Sequence, residues 1–153
     1  MRIAWLILVA LATGCVSDDI PKSSFGAIEG TPTVHYARAT SGLTNYAGVG
    51  YYKFTIELAT TDGCAGDTVA SIEINTALTG PNQFPTGAIP IRTTPTPETV
   101  PSAYVTFQGA TGTAGTIMID SVAGTRIDGS ANVTMTTGAM AASWIAYVCD
   151  TST

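Results

Sequence analysis

Three cysteines carry the most reactive side chains of this sequence: Cys15, Cys64 and Cys149. A thiol can be alkylated, can bind a metal or can pair with a second thiol, and its surroundings decide which reaction prevails. Cys15 follows an apolar run that ends in the small residues Thr13 and Gly14, as at the cleavage site of an export leader. We therefore expect Cys15 to become the first residue of an exported chain.

The leader predicted for residues 1–14 starts with a positive charge at Arg2 and continues with an apolar run from Ile3 to Ala12. This run has about half of the roughly twenty residues that a membrane-spanning helix needs, so we expect cleavage. The segment 11–15 (Leu-Ala-Thr-Gly-Cys) resembles the lipobox of bacterial lipoproteins. The resemblance implies that the Cys15 thiol carries a lipid and attaches the protein to a membrane. An ordinary secretory signal with a coincidental cysteine is the alternative.

Cys64 and Cys149 are the two cysteines that are left if Cys15 carries a lipid. An even number of cysteines in an exported domain favours a disulfide, because disulfides persist outside the cytosol. We expect one bridge that joins an early loop to the last strand. Two unpaired, buried cysteines are the alternative. The sequence has no Cys-x-x-Cys motif that would favour a metal or redox site.

The composition limits the kinds of partner. The chain is acidic, with a formal net charge of -5 and a pI of about 4.5. This charge argues against nucleic acid as a partner and against electrostatic docking on anionic lipid. Without the leader, the chain has the length of one domain. We divide it into a cleaved leader (1–14), a lipidated flexible tether (15–24), an all-β domain (25–150) and a C-terminal tail (151–153).

Apolar side chains alternate with polar ones through most of the sequence after Phe25, which is the pattern of strands with one wet face. Glycine-rich turns separate these runs. The pattern predicts about eight strands, near residues 27–38, 50–60, 68–75, 87–93, 102–109, 114–122, 125–137 and 140–149. We expect an all-β fold, an antiparallel sandwich or a small barrel. Glycines 42, 48 and 50 predict a loop around Asn45.

The alternation also predicts which side chains form the core. The expected buried residues are Phe54, Ile56, Ile72, Ile74, Phe107, Ile117 and Val133. The residues expected to face solvent are Lys53, Glu57, Glu73, Asn75 and Asp128. Two prolines, Pro90 and Pro101, suit an edge strand or the start of a strand, because proline donates no backbone hydrogen bond.

Several features together resemble a diffuse group of small, functionally uncharacterised bacterial lipoproteins. They are the lipobox, Cys64 after a β-hairpin, the segment 84–91 (Phe-Pro-Thr-Gly-Ala-Ile-Pro-Ile), and an ending that contains the segments 115–117, 129–131 and 147–149. The resemblance implies a β fold and a location in the cell envelope. It implies no activity.

Few residues outside the cysteines suggest catalysis. His35 is the single histidine, and the sequence has no Gly-x-Ser-x-Gly turn that would supply a nucleophile for it. We therefore expect His35 to lie in a strand with a structural or solvent-facing role. Asp62 and Asp67 lie in a glycine-rich loop and could offer oxygen ligands to calcium, but their spacing matches no calcium loop. Turn formation is the simpler interpretation, and we expect no metal and no cofactor.

Two further features have a structural interpretation and a binding alternative. The proline- and threonine-rich stretch 92–101 predicts an extended, exposed loop, with a recognition loop or a glycosylated patch as alternatives. Six aromatic residues either fill the β core, which we expect, or line a ligand pocket; they are Tyr46, Tyr51, Tyr52, Tyr104, Tyr147 and Trp144.

The sequence therefore predicts a non-enzymatic envelope lipoprotein that acts as a structural or protein-interaction module. Its expected partners are the membrane, through the lipid on Cys15, and an envelope protein. Val16 after the cysteine favours the outer membrane by the usual sorting of bacterial lipoproteins. The first alternative is a small barrel lipoprotein that binds an apolar or saccharide ligand. The second is a hydrolase of unrecognised type.

Overall fold

The computed structural model describes residues 24–77, 84–96 and 100–149, and every regular element in these ranges is a β-strand. The all-β prediction is confirmed, with nine strands instead of eight. The strands are β1 (Phe25–Ile28), β2 (Tyr36–Tyr46), β3 (Val49–Ala59), β4 (Ala70–Ala77), β5 (Gly87–Pro90), β6 (Ser102–Phe107), β7 (Ala110–Ala123), β8 (Arg126–Met135) and β9 (Ala139–Val148).

Seven of these strands close into a barrel in the order β2-β3-β4-β6-β7-β8-β9. Neighbouring barrel strands are antiparallel, except that β9 returns to β2 in parallel, where Arg38 lies opposite Tyr147 and Ala39 opposite Val148. The two short strands lie outside the ring: β1 pairs with β9, and β5 pairs with β7. A barrel, and not a sandwich, is therefore the form that the predicted β domain takes.

Large apolar side chains fill the barrel interior. The largest of those that are fully buried are Phe54, Ile56, Leu58, Ile72, Ile74, Ile89, Val105, Ile117, Ile119, Ile127, Val133 and Met140. Trp144 of β9 is also buried in this core, and Gly129 lies opposite it, where a side chain would collide with the indole ring. The predicted core is confirmed except for Phe107, which is half-buried because it ends β6 at the rim of the barrel.

The first predicted strand was wrong. Residues 27–38 contain the end of β1, a turn and the start of β2. The turn begins with the amide of Thr31 donating to the carbonyl of Ile28, and Gly30 adopts a positive φ of 75°. Pro32 follows directly and cannot donate to a strand partner. The turn chemistry therefore outweighs the apolar alternation in this segment.

The loop predicted around Asn45 is also wrong, because this segment forms the end of a long hairpin. β2 and β3 pair in register from Tyr36 opposite Ala59 to Tyr46 opposite Val49. Only Ala47 and Gly48 form the turn, and both have positive φ values, 52° and 80°. Two such residues suit a tight hairpin turn whose twist matches that of the strands. The other glycines of the segment are accommodated within the strands.

The outward-facing polar residues are less exposed than the sequence suggests. Lys53 is exposed as predicted, whereas Glu57, Glu73 and Asp128 are half-buried because each forms an ion pair with an arginine. Asn75 is fully buried, which contradicts its predicted solvent position. The prolines meet their expectation: Pro90 lies in the edge strand β5, and Pro101 directly precedes β6.

The predicted disulfide is present between Cys64 and Cys149, with a Cα separation of 5.7 Å. It joins the loop after β3 to the residue that follows β9. The bridge spans 85 residues of sequence. In the chain-entropy model, a loop of that length destabilises the unfolded state by about 4 to 5 kcal/mol. The bridge is therefore a major source of stability for a domain of this size.

Several predictions concern residues outside the described ranges. They are the leader 1–14, the lipid site at Cys15, nearly all of the tether 15–24, the tail 151–153, the turn expected at 79–82 and part of the stretch 92–101. They stay predictions.

We expect Phe54→Ala to lower the free energy of unfolding by about 3 to 5 kcal/mol, the usual range for truncating a core phenylalanine. The Phe54 ring is completely buried and lies 4.0 Å from the Phe84 ring, centroid to centroid. Lys53→Ala is the control, because this neighbouring side chain faces outward and contacts Glu73 at 3.7 Å. An exposed ion pair contributes about 1 kcal/mol or less. Equal losses in urea denaturation would contradict this description of the core.

Candidate functional site

A cleft on the outer wall of the barrel brings together two oppositely charged side chains, Lys53 and Glu73, with an amide and hydroxyls. It has a volume of about 280 Å³ and crosses β2, β3 and β4 near the end of the β2–β3 hairpin. Its lining residues are Thr44, Asn45 and Tyr46 of β2, Lys53 of β3, Glu73 and Asn75 of β4, and Pro95 and Thr96 of the loop after β5.

Glu73 lies at the centre of the cleft floor. Its Oε1 lies 3.1 Å from Nη2 of Arg92. The same oxygen accepts a hydrogen bond of 3.1 Å from the side-chain Nδ2 of Asn75. The other lies 3.7 Å from Nζ of Lys53. Arg92 is almost completely buried, and its Nη1 donates to the carbonyl of Thr96 at 2.7 Å. The arginine therefore joins the wall to the loop that covers the cleft.

Asn75 is the least satisfied polar side chain of this cleft. It is fully buried, and its Oδ1 accepts no hydrogen bond from the described part of the chain. A buried acceptor without a donor costs about 1 to 3 kcal/mol. A residue that is completely buried is usually apolar. The Oδ1 itself has no contact with solvent, so a ligand in the cleft meets the exposed groups around it, such as Lys53 and Tyr46.

The cleft combines several kinds of side chain. Thr44 and Thr96 offer hydroxyls, Tyr46 offers a half-exposed ring, and the charges of Glu73, Lys53 and Arg92 compensate one another. The cleft can therefore present donors, acceptors and an aromatic face to a ligand.

A second, shallower cleft of about 390 Å³ lies over β1, β8 and β9. Its lining contains four alanines together with Ile28, Glu29, Asn132 and Ser143. Unlike the cleft at Glu73, it contains no pair of opposite charges and no aromatic ring. We therefore treat the cleft at Glu73 as the candidate functional site.

The loop that carries Cys64 uses its charged groups internally. The guanidinium of Arg38 donates to the carbonyls of Gly63, Gly66 and Asp67 at 2.8 to 3.2 Å. Its Nε pairs with Glu57 at 2.6 Å, and the arginine is buried under the loop. Arg38, which the sequence analysis did not single out, therefore fixes the loop against the wall of the barrel.

The carboxylate of Asp67 is likewise occupied. It accepts hydrogen bonds of 2.5 to 3.4 Å from the amides and hydroxyls of Thr60 and Thr61. The hydroxyl bonds from Thr60 and then Thr61 lower the pKa of Asp67 to about 2. Asp62 accepts a bond from the amide of Gly63 at 2.9 Å. These contacts are those of a structured turn, and within the described residues no group of three or more potential ligands is placed to hold a metal ion.

His35 and the six aromatic residues that the sequence singled out do not cluster at one site. His35 lies just before β2, not in a strand, and is exposed, with the ring of Tyr36 as an edge-on neighbour at 6.4 Å. The six aromatic residues also occupy separate places. Trp144 and Tyr51 are buried, Tyr52 stacks on Phe54, and Tyr46 lies in the candidate cleft.

The sequence contained only a partial signal for the candidate cleft. Alternation places Lys53, Glu73 and Asn75 on the outer face of predicted strands, but it does not say which strands are paired. In the structure β3 pairs with β4, so that Lys53 lies opposite Asn75 and the next outward-facing pair is Thr55 with Glu73. Arg92 lies in the loop after β5, and no local sequence pattern predicts the position of this loop.

Comparison of the chain with protein-family models, with curated proteins and with solved structures found no match. The described residues contain no helix whose length and apolar character suit a membrane span.

We expect Asp67→Asn to lower the melting temperature at neutral pH, because an amide is a poorer acceptor for the four bonds from Thr60 and Thr61. The folded pKa of about 2 lies below the ordinary value of 3.8. The stabilisation that the ionised Asp67 gives the folded state is therefore fully present above about pH 4, the pKa of this carboxyl in the unfolded chain. It is lost as the pH falls through about 2, its pKa in the folded protein. The difference in melting temperature between wild type and variant should shrink over that range in scanning calorimetry.

Asp62→Asn is the matched control for this experiment, because it removes a negative charge from the same loop and leaves the contacts of Asp67 intact. It should change the melting temperature less than Asp67→Asn at neutral pH. A difference between wild type and Asp67→Asn that stays constant down to pH 2 would show that the Asp67 charge does not stabilise the loop.

Proposed function

We propose that this protein is a lipid-anchored module of the bacterial cell envelope that works by binding and not by catalysis. The disulfide between Cys64 and Cys149 is the observation that carries this proposal. Disulfides are typical of exported proteins and rare in the cytosol. The bridge also leaves Cys15 as the remaining cysteine, at the end of an export leader that resembles a lipobox. We assign the anchor to the outer membrane.

The filled barrel interior supports a function on the outer surface. A barrel that carries an apolar ligand inside needs interior space, whereas the interior here is occupied by side chains such as Phe54, Ile72 and Ile117. The acidic composition argues against nucleic acid as a partner. We therefore propose that the outer wall contacts another component of the envelope, with an envelope protein as the first candidate.

A saccharide is the second candidate ligand, and the cleft at Glu73 favours it. Sugars present many hydroxyls, and some carry acetamido groups, which can bond the hydroxyls of Thr44 and Thr96 in the lining of the cleft. Paired charges such as Lys53 and Glu73 can each bond a hydroxyl, and the ring of Tyr46 offers an apolar face at the rim. Few, fixed polar groups beside an aromatic surface are typical of sites for small ligands.

We expect Cys15→Ser to abolish labelling by a fatty-acid probe and to move the protein from the membrane fraction into soluble or uncleaved forms. The reason is that the oxygen of serine cannot replace the sulfur to which the lipid is attached. The control is the double variant Cys64→Ala with Cys149→Ala, which removes the bridge and should keep the label. Unchanged labelling of Cys15→Ser would contradict the lipid anchor.

The saccharide proposal is tested by calorimetric titration with an N-acetylated oligosaccharide and its deacetylated counterpart. We expect Thr44→Val to weaken binding by about two- to tenfold, since a lost hydrogen bond contributes about 0.5 to 1.5 kcal/mol. Thr40→Val is the matched control, because Thr40 lies on the same face of β2 outside the cleft. Absence of binding to either sugar, or equal effects of the two variants, would refute the saccharide site.

A further inference from the structure

The tip of the β2–β3 hairpin projects beyond the barrel wall. β9 accompanies β2 only as far as Ala39, whose carbonyl accepts a hydrogen bond from the amide of Cys149 at 2.7 Å. On the other side, β4 accompanies β3 as far as Tyr51. We define the hairpin tip as residues 42–50. Through this tip, β2 and β3 are paired with each other alone among the described strands.

The hairpin tip exposes apolar side chains and carries no charge. Leu43 is 71% exposed, Val49 is 51% exposed and Tyr46 is 48% exposed. The sequence has no charged residue from position 39 to position 52. Val100, 65% exposed, lies just before β6 at the same end of the barrel. Large exposed apolar side chains that cluster at one end mark a contact surface.

The opposite end of the barrel has the reverse character. Its described turns and loops contain Glu29, Asp62 and Asp67 as their charged residues, and all three are exposed. The cation that lies beneath them, Arg38, is buried. Arg126 lies opposite Tyr147, at the level of Arg38, and contacts Asp128 at 2.8 and 3.1 Å. The hairpin tip is therefore the uncharged surface, whereas the loops at the opposite end carry exposed carboxylates.

The start of the domain is placed so that a lipid on Cys15 can reach this end. Phe25 lies opposite Ile145 of β9, which puts it at the level of Tyr36 in β2. Because β1 is antiparallel to β9 and β9 is parallel to β2, the chain followed from Ile28 back to Phe25 runs toward the hairpin tip. From Tyr36 to Tyr46 is about 33 Å along the strand. The chain from Cys15 to Phe25 makes ten residue steps and reaches at most about 33 to 36 Å when it is fully extended. An extended tether can therefore bring the lipid on Cys15 to the level of the hairpin tip.

We infer that the hairpin tip inserts into the interfacial layer of the membrane to which Cys15 is attached. This inference rests on the lipid anchor proposed above. Leu43 and Val49 would bury their side chains at the boundary between headgroups and acyl chains, and the amphipathic ring of Tyr46 suits the headgroup level. The absence of charge on the tip makes this contact independent of anionic lipid.

The test uses the full-length lipidated protein in phosphatidylcholine vesicles whose acyl chains carry bromine near the headgroups. Leu43→Trp places a fluorophore on the hairpin tip, and we expect the bromine to quench it strongly, at low and at high salt. Thr137→Trp places the same fluorophore on the exposed turn at the opposite end and should keep its emission. Trp144, buried in the barrel, gives the same background in both variants.

The outcomes separate this proposal from the lipid anchor. Equal, weak quenching of Leu43→Trp and Thr137→Trp in protein that takes a fatty-acid label on Cys15 overturns the hairpin contact and keeps the anchor. Strong quenching of Leu43→Trp without that label supports the hairpin contact and overturns the anchor. Emission from Leu43→Trp that is already shielded without vesicles, and is unquenched with them, means that a protein or a second copy covers the tip and overturns the proposal.

Discussion

The parallel contact between β9 and β2 is the constraint on which the rest of the structure depends, because it turns a curved sheet into a closed barrel. Only two residue pairs form this seam, Arg38 with Tyr147 and Ala39 with Val148. Together with the β6–β7 pairing, which also has two residue pairs, this seam is among the shortest joins in the ring. Cys149 follows it directly and is bonded to Cys64, while Arg38 holds the loop of Cys64 through three carbonyls. The loop of Cys64 is therefore bonded to β9 through the disulfide and to β2 through the guanidinium of Arg38, and it holds these two strands together.

Closure of the barrel also decides where binding can occur. A seven-stranded ring whose interior is filled with isoleucine, valine and phenylalanine side chains leaves the outer wall for ligands. Pairing of β3 with β4 brings Lys53, Glu73 and Asn75 into adjacent rows of that wall. Arg92 pairs with Glu73 and donates to the carbonyl of Thr96 in the loop after β5. The polar cleft is thus a product of strand pairing, and the loop residues Pro95 and Thr96 distinguish it from an ordinary wet face.

The two ends of the barrel differ in a way that gives the proposed anchor a direction. The hairpin tip is apolar and uncharged, whereas the end with the disulfide loop carries exposed carboxylates at Glu29, Asp62 and Asp67. A membrane favours the first surface and water favours the second. With the hairpin tip at the bilayer, the cleft lies on the side of the barrel close to the membrane, and the acidic end faces away from it.

The sequence by itself determined the fold class, most strand positions, the core and the disulfide, because alternation of apolar residues and the cysteine count are local or compositional signals. Phe54, Ile72 and Val133 follow directly from the two-residue period. The sequence misassigned the segments 27–38 and 39–50, where turn residues decide the outcome. Tertiary structure alone decided that the sheet closes, that Arg38 is buried under a loop, and that Asn75 lies in a cleft floor. These depend on strand register and loop placement, which bring together residues distant in the chain, and no local pattern encodes them.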